Sequence, residues 1–165
     1  MKTRMFFPLA LAALMAAPAA SAEDDGGRQI AACLKESAHN AHVPAGVMLV
    51  LLYVEGGHPG QAVQNTNGTS DLGPMQVNTI HVPEIARHWH TTPSRAYAAL
   101  RNNSCANLEA GGWILGQEMT KARGDLWQAV AGYHSHTPRF GTAYLKRFYE
   151  ISQTLIRTSH QGDPA

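Results

Sequence analysis

One apolar stretch restricts the fold of this chain more than any other feature. Residues 47–54 form the nearly continuous apolar sequence VMLVLLYV. Pro44 suits the first turn of a helix, because its ring presets the backbone angle. Gly56 and Gly57 favour the end of that helix. Because a helix that is apolar on most sides is normally buried, the sequence predicts a central helix that ends with a single carboxylate, Glu55.

The first 22 residues are typical of a secretory leader. Two basic residues precede an apolar segment over residues 5–17, which is too short to cross a bilayer, and Ala20-Ser21-Ala22 is a small-residue cleavage motif. We therefore expect a periplasmic or secreted protein without stable membrane insertion. The predicted organisation is a signal peptide over residues 1–22, one domain over residues 23–158 and a disordered tail over residues 159–165.

Charge and cysteine content narrow the expected partners and environment. The 165 residues include 13 Lys and Arg and 12 Asp and Glu, without a basic cluster. Nucleic acid is therefore not an expected partner.

The two cysteines, Cys33 and Cys105, form an even set in an exported chain, which favours one disulfide; two buried free thiols are the alternative.

The rest of the chain has mostly helical periodicity. Turn residues between positions 58 and 78, including Asn67-Gly68, favour a small irregular β-hairpin or loop. Residues 23–27 are acidic and rich in glycine, which indicates a frayed start. The predicted fold class is mainly α (α+β) with one small β element. Further helices are predicted over residues 28–40, 93–100, 105–123, 126–133 and 140–157. A short helix that begins at residue 79 or 82 is predicted to end at residue 89.

Glu55 is the first candidate for chemistry. Apolar surroundings disfavour the charged carboxylate and raise its pKa, so a proton held there is available for a glycosidic oxygen near neutral pH. The alternative is a helix-terminal glutamate that reaches solvent past Gly56. Asp71 is the nearest second carboxylate in sequence, but its turn-like setting favours a backbone role. Without a second carboxylate, the acetamido oxygen of the sugar would assist the reaction.

Tryptophans and histidines are weaker candidates. Trp113 and Trp127 lie in apolar helical patterns and are predicted to belong to the core, whereas Trp89 is the best candidate for stacking on a sugar. The His-x-His pairs that begin at His88 and His134 lack a third ligand at metal-binding spacing. We therefore predict surface histidines, and no metal or cofactor.

Several motifs resemble the soluble lytic transglycosylase (SLT) domain family. Residues 65–78, which follow Glu55, read NTNGTSDLGPMQVN, and residues 129–135 read AVAGYHS, similar to the tyrosine-containing third motif of the family. The sequences CANL at residues 105–108 and GGWIL at residues 111–115 resemble a subgroup that accompanies conjugation and type III and type IV secretion systems. The resemblance covers most of the predicted domain.

The resemblance implies a lysozyme-like fold that acts on peptidoglycan glycan strands. The implied reaction cleaves the bond between N-acetylmuramic acid and N-acetylglucosamine and gives a 1,6-anhydro product, with Glu55 first as the acid and then as the base. Ser70, Met75 and Gln76 would line the groove, and Tyr133 would hold Glu55 or the sugar. Components of a conjugation or secretion apparatus are the implied partners.

Three positions depart from the family pattern. Gly56 stands where serine is usual, Pro74 where leucine is usual, and His134 where asparagine is usual. Neutral histidine offers one donor and one acceptor, as the asparagine amide does, so His134 can keep a sugar contact. Two alternatives stay open: a lysozyme-type muramidase that uses water, and a non-catalytic protein that binds peptidoglycan.

Overall fold

The computed structural model describes residues 22–161, which form seven α-helices and one small sheet. The mainly α class with a small β element is confirmed. The helices are α1 (Ala22–Asn40), α2 (Ala45–Glu55), α3 (Val82–His88), α4 (Pro93–Asn102), α5 (Ser104–Lys121), α6 (Leu126–His134) and α7 (Pro138–Gln161). The strands are β1 (Ala62–Gln64), β2 (Ser70–Leu72) and β3 (Val77–Asn78), and a 3-10 turn (Thr79–His81) connects β3 to α3.

Helix α2 lies in the centre of the domain and packs against α1 and α7. Met48, Leu51 and Val54 are completely or almost completely buried, as the apolar run predicts. Burial does not extend all the way around the helix, because Leu49 and Tyr53 are 39% and 55% exposed. The helix therefore buries one broad face and leaves a smaller apolar face at the surface.

A disulfide joins the first helix to the long helix α5, as the cysteine count predicts. Cys33 and Cys105 have their Cα atoms 5.3 Å apart and are separated by 72 positions in sequence. A loop of that length contributes roughly 4 kcal/mol to stability in the chain-entropy account. The bridge fixes α1 against α5 beside the central helix.

The hairpin is confirmed, and the structure adds a third strand to it. Strand β2 pairs antiparallel with both β1 and β3, with Asp71 opposite Val63 on one side and Asn78 on the other. The third strand was not evident from the sequence because it has only two residues, and a buried side chain from another element supports it.

That side chain is Asn107 of α5, which is completely buried. Its Oδ1 accepts a hydrogen bond from the Met75 amide at 2.6 Å, and its Nδ2 donates to the carbonyls of Leu72 and Leu100 at 2.8 and 2.9 Å. Gly73 has a φ of +66°, and a Cβ there would lie 2.4 Å from the Leu100 carbonyl oxygen. The turn between β2 and β3 therefore requires both the asparagine and the glycine.

Both ends of the domain are more helical than the sequence predicts. The expected frayed start over residues 23–27 belongs to α1, because a helix anchored downstream extends cooperatively across two glycines at about 1 kcal/mol each. The expected disordered tail from residue 159 is helical to Gln161, where Gly162 follows. The remaining tail and the predicted signal peptide up to residue 21 lie outside the described residues. Within residues 22–161, no helix is long and apolar enough to cross a membrane.

Candidate active site

A polar cleft of about 320 Å³ lies between the end of α2, the small sheet and the helices α6 and α7. It contains two carboxylates, a guanidinium, two histidines and two phenols. Its lining residues are Val54, Glu55, Asp71, Gln76, Val77, Asn78, Ile80, His81, Ile114, Tyr133, His134, Tyr144 and Arg147. A larger apolar groove between α1 and α2 has neither a carboxylate nor a histidine in its lining. The polar cleft is therefore the candidate active site.

Two glycines place Glu55 at the edge of this cleft. Gly56 adopts the left-handed conformation with a φ of +63°, and its amide donates to the Leu52 carbonyl at 3.0 Å, which ends α2 directly after Glu55. Gly57 lies against the turn of the sheet, where a Cβ would be 2.1 Å from the Gly73 carbonyl oxygen. The helix end and the sheet can therefore approach each other only because Gly57 has no side chain, whereas Gly56 supplies the left-handed backbone that ends the helix.

Glu55 keeps its proton to an unusually high pH. Burial raises the pKa of its carboxyl group from 4.5 to about 7, and the negative charge of Asp71 adds to the rise. The hydrogen bond from Tyr144 and the positive charge of Arg147 act in the opposite direction but are outweighed. Near neutral pH, Glu55 is therefore a mixture of acid and carboxylate, as general acid–base catalysis requires.

Tyr144 of α7 holds Glu55 in place. Its hydroxyl donates to Glu55 Oε1 at 2.5 Å. The other oxygen, Oε2, has no hydrogen bond to any of residues 26–159, and no fully buried side-chain polar atom among them lacks a partner. Oε2 is therefore accessible to solvent in the cleft, where a ligand can reach it.

The two predicted site residues of α6, Tyr133 and His134, line the same cleft as Tyr144. The His134 ring stacks on the Tyr144 ring, with centroids 4.6 Å apart and planes 5° from parallel. Partial burial lowers the pKa of His134 below its usual 6.5; the negative charge of Asp71 opposes this shift, and Arg147 adds to it. Tyr133 donates to the Met75 carbonyl at 3.1 Å, and burial raises its pKa well above 10. The hydrogen bond to Glu55 thus comes from Tyr144, and Tyr133 instead ties α6 to the turn before β3.

Asp71 lies in strand β2 and not in a turn, which corrects the turn role expected from the sequence. Asn65 Nδ2 donates to its Oδ2 at 3.0 Å, and Asn78 Nδ2 donates to its Oδ1 at 2.7 Å. The turn interpretation failed because Gly73 and Pro74 follow the strand directly. A second carboxylate therefore lines the same cleft as Glu55, held by two amides.

The groove-lining residues implied by the resemblance have different surroundings. Gln76 lines the cleft, although its Nε2 donates to the Gly73 carbonyl at 2.8 Å. The Met75 side chain is completely buried in the core. Ser70 is partly buried, and its amide donates to Thr79 Oγ1 at 2.9 Å. The structure thus brings Gln76, Tyr133 and His134 to Glu55, and contact of Ser70 or Met75 with a substrate stays a prediction.

Two side chains of α7 complete the cleft and were not identified from the sequence. The sequence predicts only that both belong to the helix over residues 140–157, without a role in the site. They are three residues apart and therefore share one face of the helix. A polar end group within an apolar stripe, followed one turn later by an arginine, is the signal that was available.

The tryptophans lie away from Glu55. Trp89 donates its indole N–H to Glu109 Oε2 at 2.5 Å and is not in the cleft lining, which gives no support to its predicted stacking on a sugar. Trp113 is partly buried and stacks on His88. Trp127 was predicted to be in the core but is 55% exposed, because it stands in the first turn of α6 and contacts Phe148 only edge-on.

The histidine pairs have carboxylate neighbours. His88 Nε2 lies 3.0 Å from Glu109 Oε1, and His136 Nε2 lies 2.8 Å from Glu118 Oε2. Across residues 26–159, whose side chains the structure describes, no group of three or more His, Cys, Asp or Glu is arranged to hold a metal ion.

Comparison with known proteins agrees with this geometry. The model of the transglycosylase SLT domain family matches residues 32–147, which is more than half of the chain and includes all the cleft residues. The chain is also 29% identical over 90 residues to the invasion protein IagB, in two strains of Salmonella typhimurium and in Salmonella typhi. That match covers 54% of this chain, and the chain spans about half (52%) of the length of those curated relatives. The chain therefore belongs to the transglycosylase SLT domain family, whose members are lytic transglycosylases acting on peptidoglycan.

Proposed function

We propose that this protein is a peptidoglycan lytic transglycosylase with Glu55 as its acid–base residue. The observation that carries the proposal is the state of Glu55 in the cleft: burial raises its pKa to about 7, Tyr144 holds Oε1, and Oε2 is open to a ligand. One group with a pKa near the working pH can serve as acid in one step and as base in the next.

The proposed reaction needs no nucleophile and no second carboxylate from the protein. Protonated Glu55 gives its proton to the glycosidic oxygen as the bond from that oxygen to C1 of N-acetylmuramic acid breaks. The acetamido oxygen of the same sugar stabilises C1 during this step. The Glu55 carboxylate then removes the proton from the C6 hydroxyl, whose oxygen bonds to C1 and closes the 1,6-anhydro ring. Glu55 ends the cycle protonated, as it began.

Product analysis tests this proposal. Purified protein is incubated with isolated sacculi, and the released fragments are analysed by mass spectrometry with Glu55→Gln as the inactive control. Fragments ending in 1,6-anhydro-muramic acid, one water lighter than reducing ends, are the expected result. Binding to sacculi with no released fragment would instead support the non-catalytic alternative.

A muramidase is the second candidate function, and Asp71 is the observation that favours it. Most glycoside hydrolases use two carboxyl groups in one cleft. Asp71 lies in the cleft with Glu55, and amides hold both of its oxygens. In that reaction water, not the C6 hydroxyl, would attack C1. Reducing ends in the same digest, lost in Asp71→Asn, would favour this alternative.

We further propose that the protein is exported and opens the cell wall locally for a secretion or conjugation apparatus. Two features support this role: the leader-like sequence of residues 1–22, and the similarity to proteins named for invasion. The test is to compare assembly of the apparatus in cells producing wild type or Glu55→Gln. Equal assembly in both would argue against a requirement for cleavage.

A further inference from the structure

Arg147 is the one arginine in the lining of the cleft. It lies on α7 three residues after Tyr144, and the residue as a whole is exposed. Among residues 26–159, no side chain or carbonyl forms a hydrogen bond or ion pair with its guanidinium group. Its neighbour Lys146 lies outside the cleft lining and has an ion-pair partner, Glu150, at 4.0 Å. The cleft thus holds a positive charge that no protein group neutralises by direct contact.

This charge works against the chemistry of Glu55. A cation favours the ionised form of a nearby carboxyl group, and Arg147 accordingly acts to lower the pKa of Glu55, whereas an acid catalyst must keep its proton. Asp71 does not need Arg147 either, because Asn65 and Asn78 already hold its two oxygens. An arginine at this position is more readily explained by a negative group on the ligand.

The ligand proposed above has such groups on one of its two sugars. The rings of the glycan strand carry neutral hydroxyl and acetamido groups. Carboxylates occur only on the side group of the muramyl residue, either on its lactyl ether or on the peptide attached there. Arginine matches a carboxylate through two parallel N–H donors, which gives directional as well as electrostatic recognition.

We propose that Arg147 binds a carboxylate on the side group of a muramyl residue and so positions that sugar relative to Glu55. This inference rests on the proposed function, because it assumes a glycan strand in the cleft. Arg147 then acts as a specificity residue: it distinguishes strands that contain muramic acid from strands of N-acetylglucosamine alone.

Binding measurements in the Glu55→Gln background test this proposal without turnover. Three probes are used: peptide-bearing glycan fragments, the same fragments stripped of peptide so that the lactyl carboxylate is free, and chito-oligosaccharides of equal length. Adding Arg147→Gln is expected to weaken binding of at least one muramyl probe by about tenfold or more and to leave the chito-oligosaccharide unchanged. A loss confined to the peptide-bearing probe identifies a peptide carboxylate, and a loss confined to the stripped probe identifies the lactyl group.

Matched variants separate charge recognition from other effects. Lys146→Gln removes the same charge from the adjacent residue outside the cleft and is expected to bind all three probes normally. Arg147→Lys keeps the charge but not the paired donors and is expected to restore binding in part. Equal losses on all three probes, or no loss on any, would overturn the proposal.

The outcome is distinguishable from failure of the proposed function. Absence of anhydro ends in the wild-type digest would contradict the transglycosylase reaction, whereas binding in the Glu55→Gln background does not depend on cleavage. If Arg147 served only to adjust Glu55, then Arg147→Gln in otherwise wild-type protein would move the alkaline limit of activity to higher pH without selective loss of muramyl binding. That result would also overturn the inference.

Discussion

Glu55 and Glu118 are both withdrawn from solvent, but their surroundings have opposite effects on them. Glu118 lies near the end of α5 with 8% of its side chain exposed. Lys121 Nζ is 2.7 Å from its Oε1, and His136 Nε2 is 2.8 Å from its Oε2. Burial alone would raise the pKa of Glu118, but these two hydrogen bonds and their charges lower it below 4.5. For Glu55 burial is the largest influence, and it raises the pKa to about 7.

The two carboxyl groups also differ in the charge and number of their hydrogen-bond partners. Both oxygens of Glu118 are occupied, and Gly132 leaves room for it, since a Cβ there would lie 2.6 Å from Oε2. Glu55 has one neutral phenol as a partner and one free oxygen. A carboxylate fixed by basic groups ties α5 to the loop after α6, whereas one held by a phenol in a cleft is available for proton transfer.

The largest expected effect separates the two residues by turnover. Glu55→Gln should lower the rate of release of peptidoglycan fragments by about 10² to 10⁴-fold, because an amide cannot donate the required proton. Glu118→Gln should keep kcat within a few-fold when the rate is normalised to folded protein measured by circular dichroism. An equally large loss of kcat in folded Glu118→Gln would contradict the assignment of a catalytic role to Glu55 and a structural role to Glu118.

The second prediction concerns the dependence of stability on pH near neutrality. Because the folded-state pKa of Glu55 is about 7 and its ordinary value is 4.5, its contribution to stability is fully present below pH 4.5. That contribution is lost as the pH rises through 7, by up to about 3 kcal/mol. Solvent access to the cleft makes the loss smaller. Glu55→Gln cannot ionise, so its free energy of unfolding should exceed that of wild type at pH 8 by more than at pH 5.

Urea unfolding at the two pH values measures this effect. The exposed Glu150 provides the control, since Glu150→Gln removes a carboxylate that is 62% exposed in its side chain. A difference between Glu55→Gln and wild type that stays the same at pH 5 and pH 8 would show that Glu55 titrates normally.

The third prediction has the opposite sign and applies to Glu118. Its lowered pKa means that its contribution to stability is present above pH 4.5 and is lost as the pH falls through the folded-state pKa. Glu118→Gln should therefore lower the free energy of unfolding at pH 7 by about 1.5–3 kcal/mol, the usual range for charged hydrogen bonds. The deficit should shrink in acid. A deficit that is independent of pH would indicate lost packing instead of lost charge pairing.

Glu55 could be identified from the sequence, and Glu118 could not, because the signals around Glu55 are local. One helix of three turns contains the apolar run and ends at Glu55, and the two glycines follow directly. Periodicity in a sequence is recognised over that distance. The disulfide was predictable because only one pair of cysteines exists. The fold class, the central helix and the position of Glu55 at its end could therefore all be inferred before the structure.

The rest of the site depends on contacts between distant parts of the chain. Tyr144 meets Glu55 across 89 positions in sequence, and Asn107 meets the sheet across 32 to 35. No local pattern reports such pairings, so the sequence predicts only a helix around Tyr144 and not its contact with Glu55. The exposure of Trp127 also depends on such packing, whereas Asp71 was assigned to a turn because Gly73 and Pro74 follow its strand directly.

The smallest expected effect tests the residue that the sequence did not reveal. Tyr144→Phe removes the hydroxyl that favours the ionised form of Glu55, so the pKa of Glu55 should rise further and the alkaline limit of activity should move to higher pH. Loss of the hydrogen bond also loosens the carboxyl group, and kcat should fall by about tenfold. Tyr133→Phe is the matched control, because its hydroxyl binds the Met75 carbonyl instead of Glu55. The pH profile of activity should shift only in Tyr144→Phe. A shift in both variants would mean that the two phenols act through the general polarity of the cleft. Tyr144 would then not be a dedicated partner that distinguishes Glu55 from Glu118.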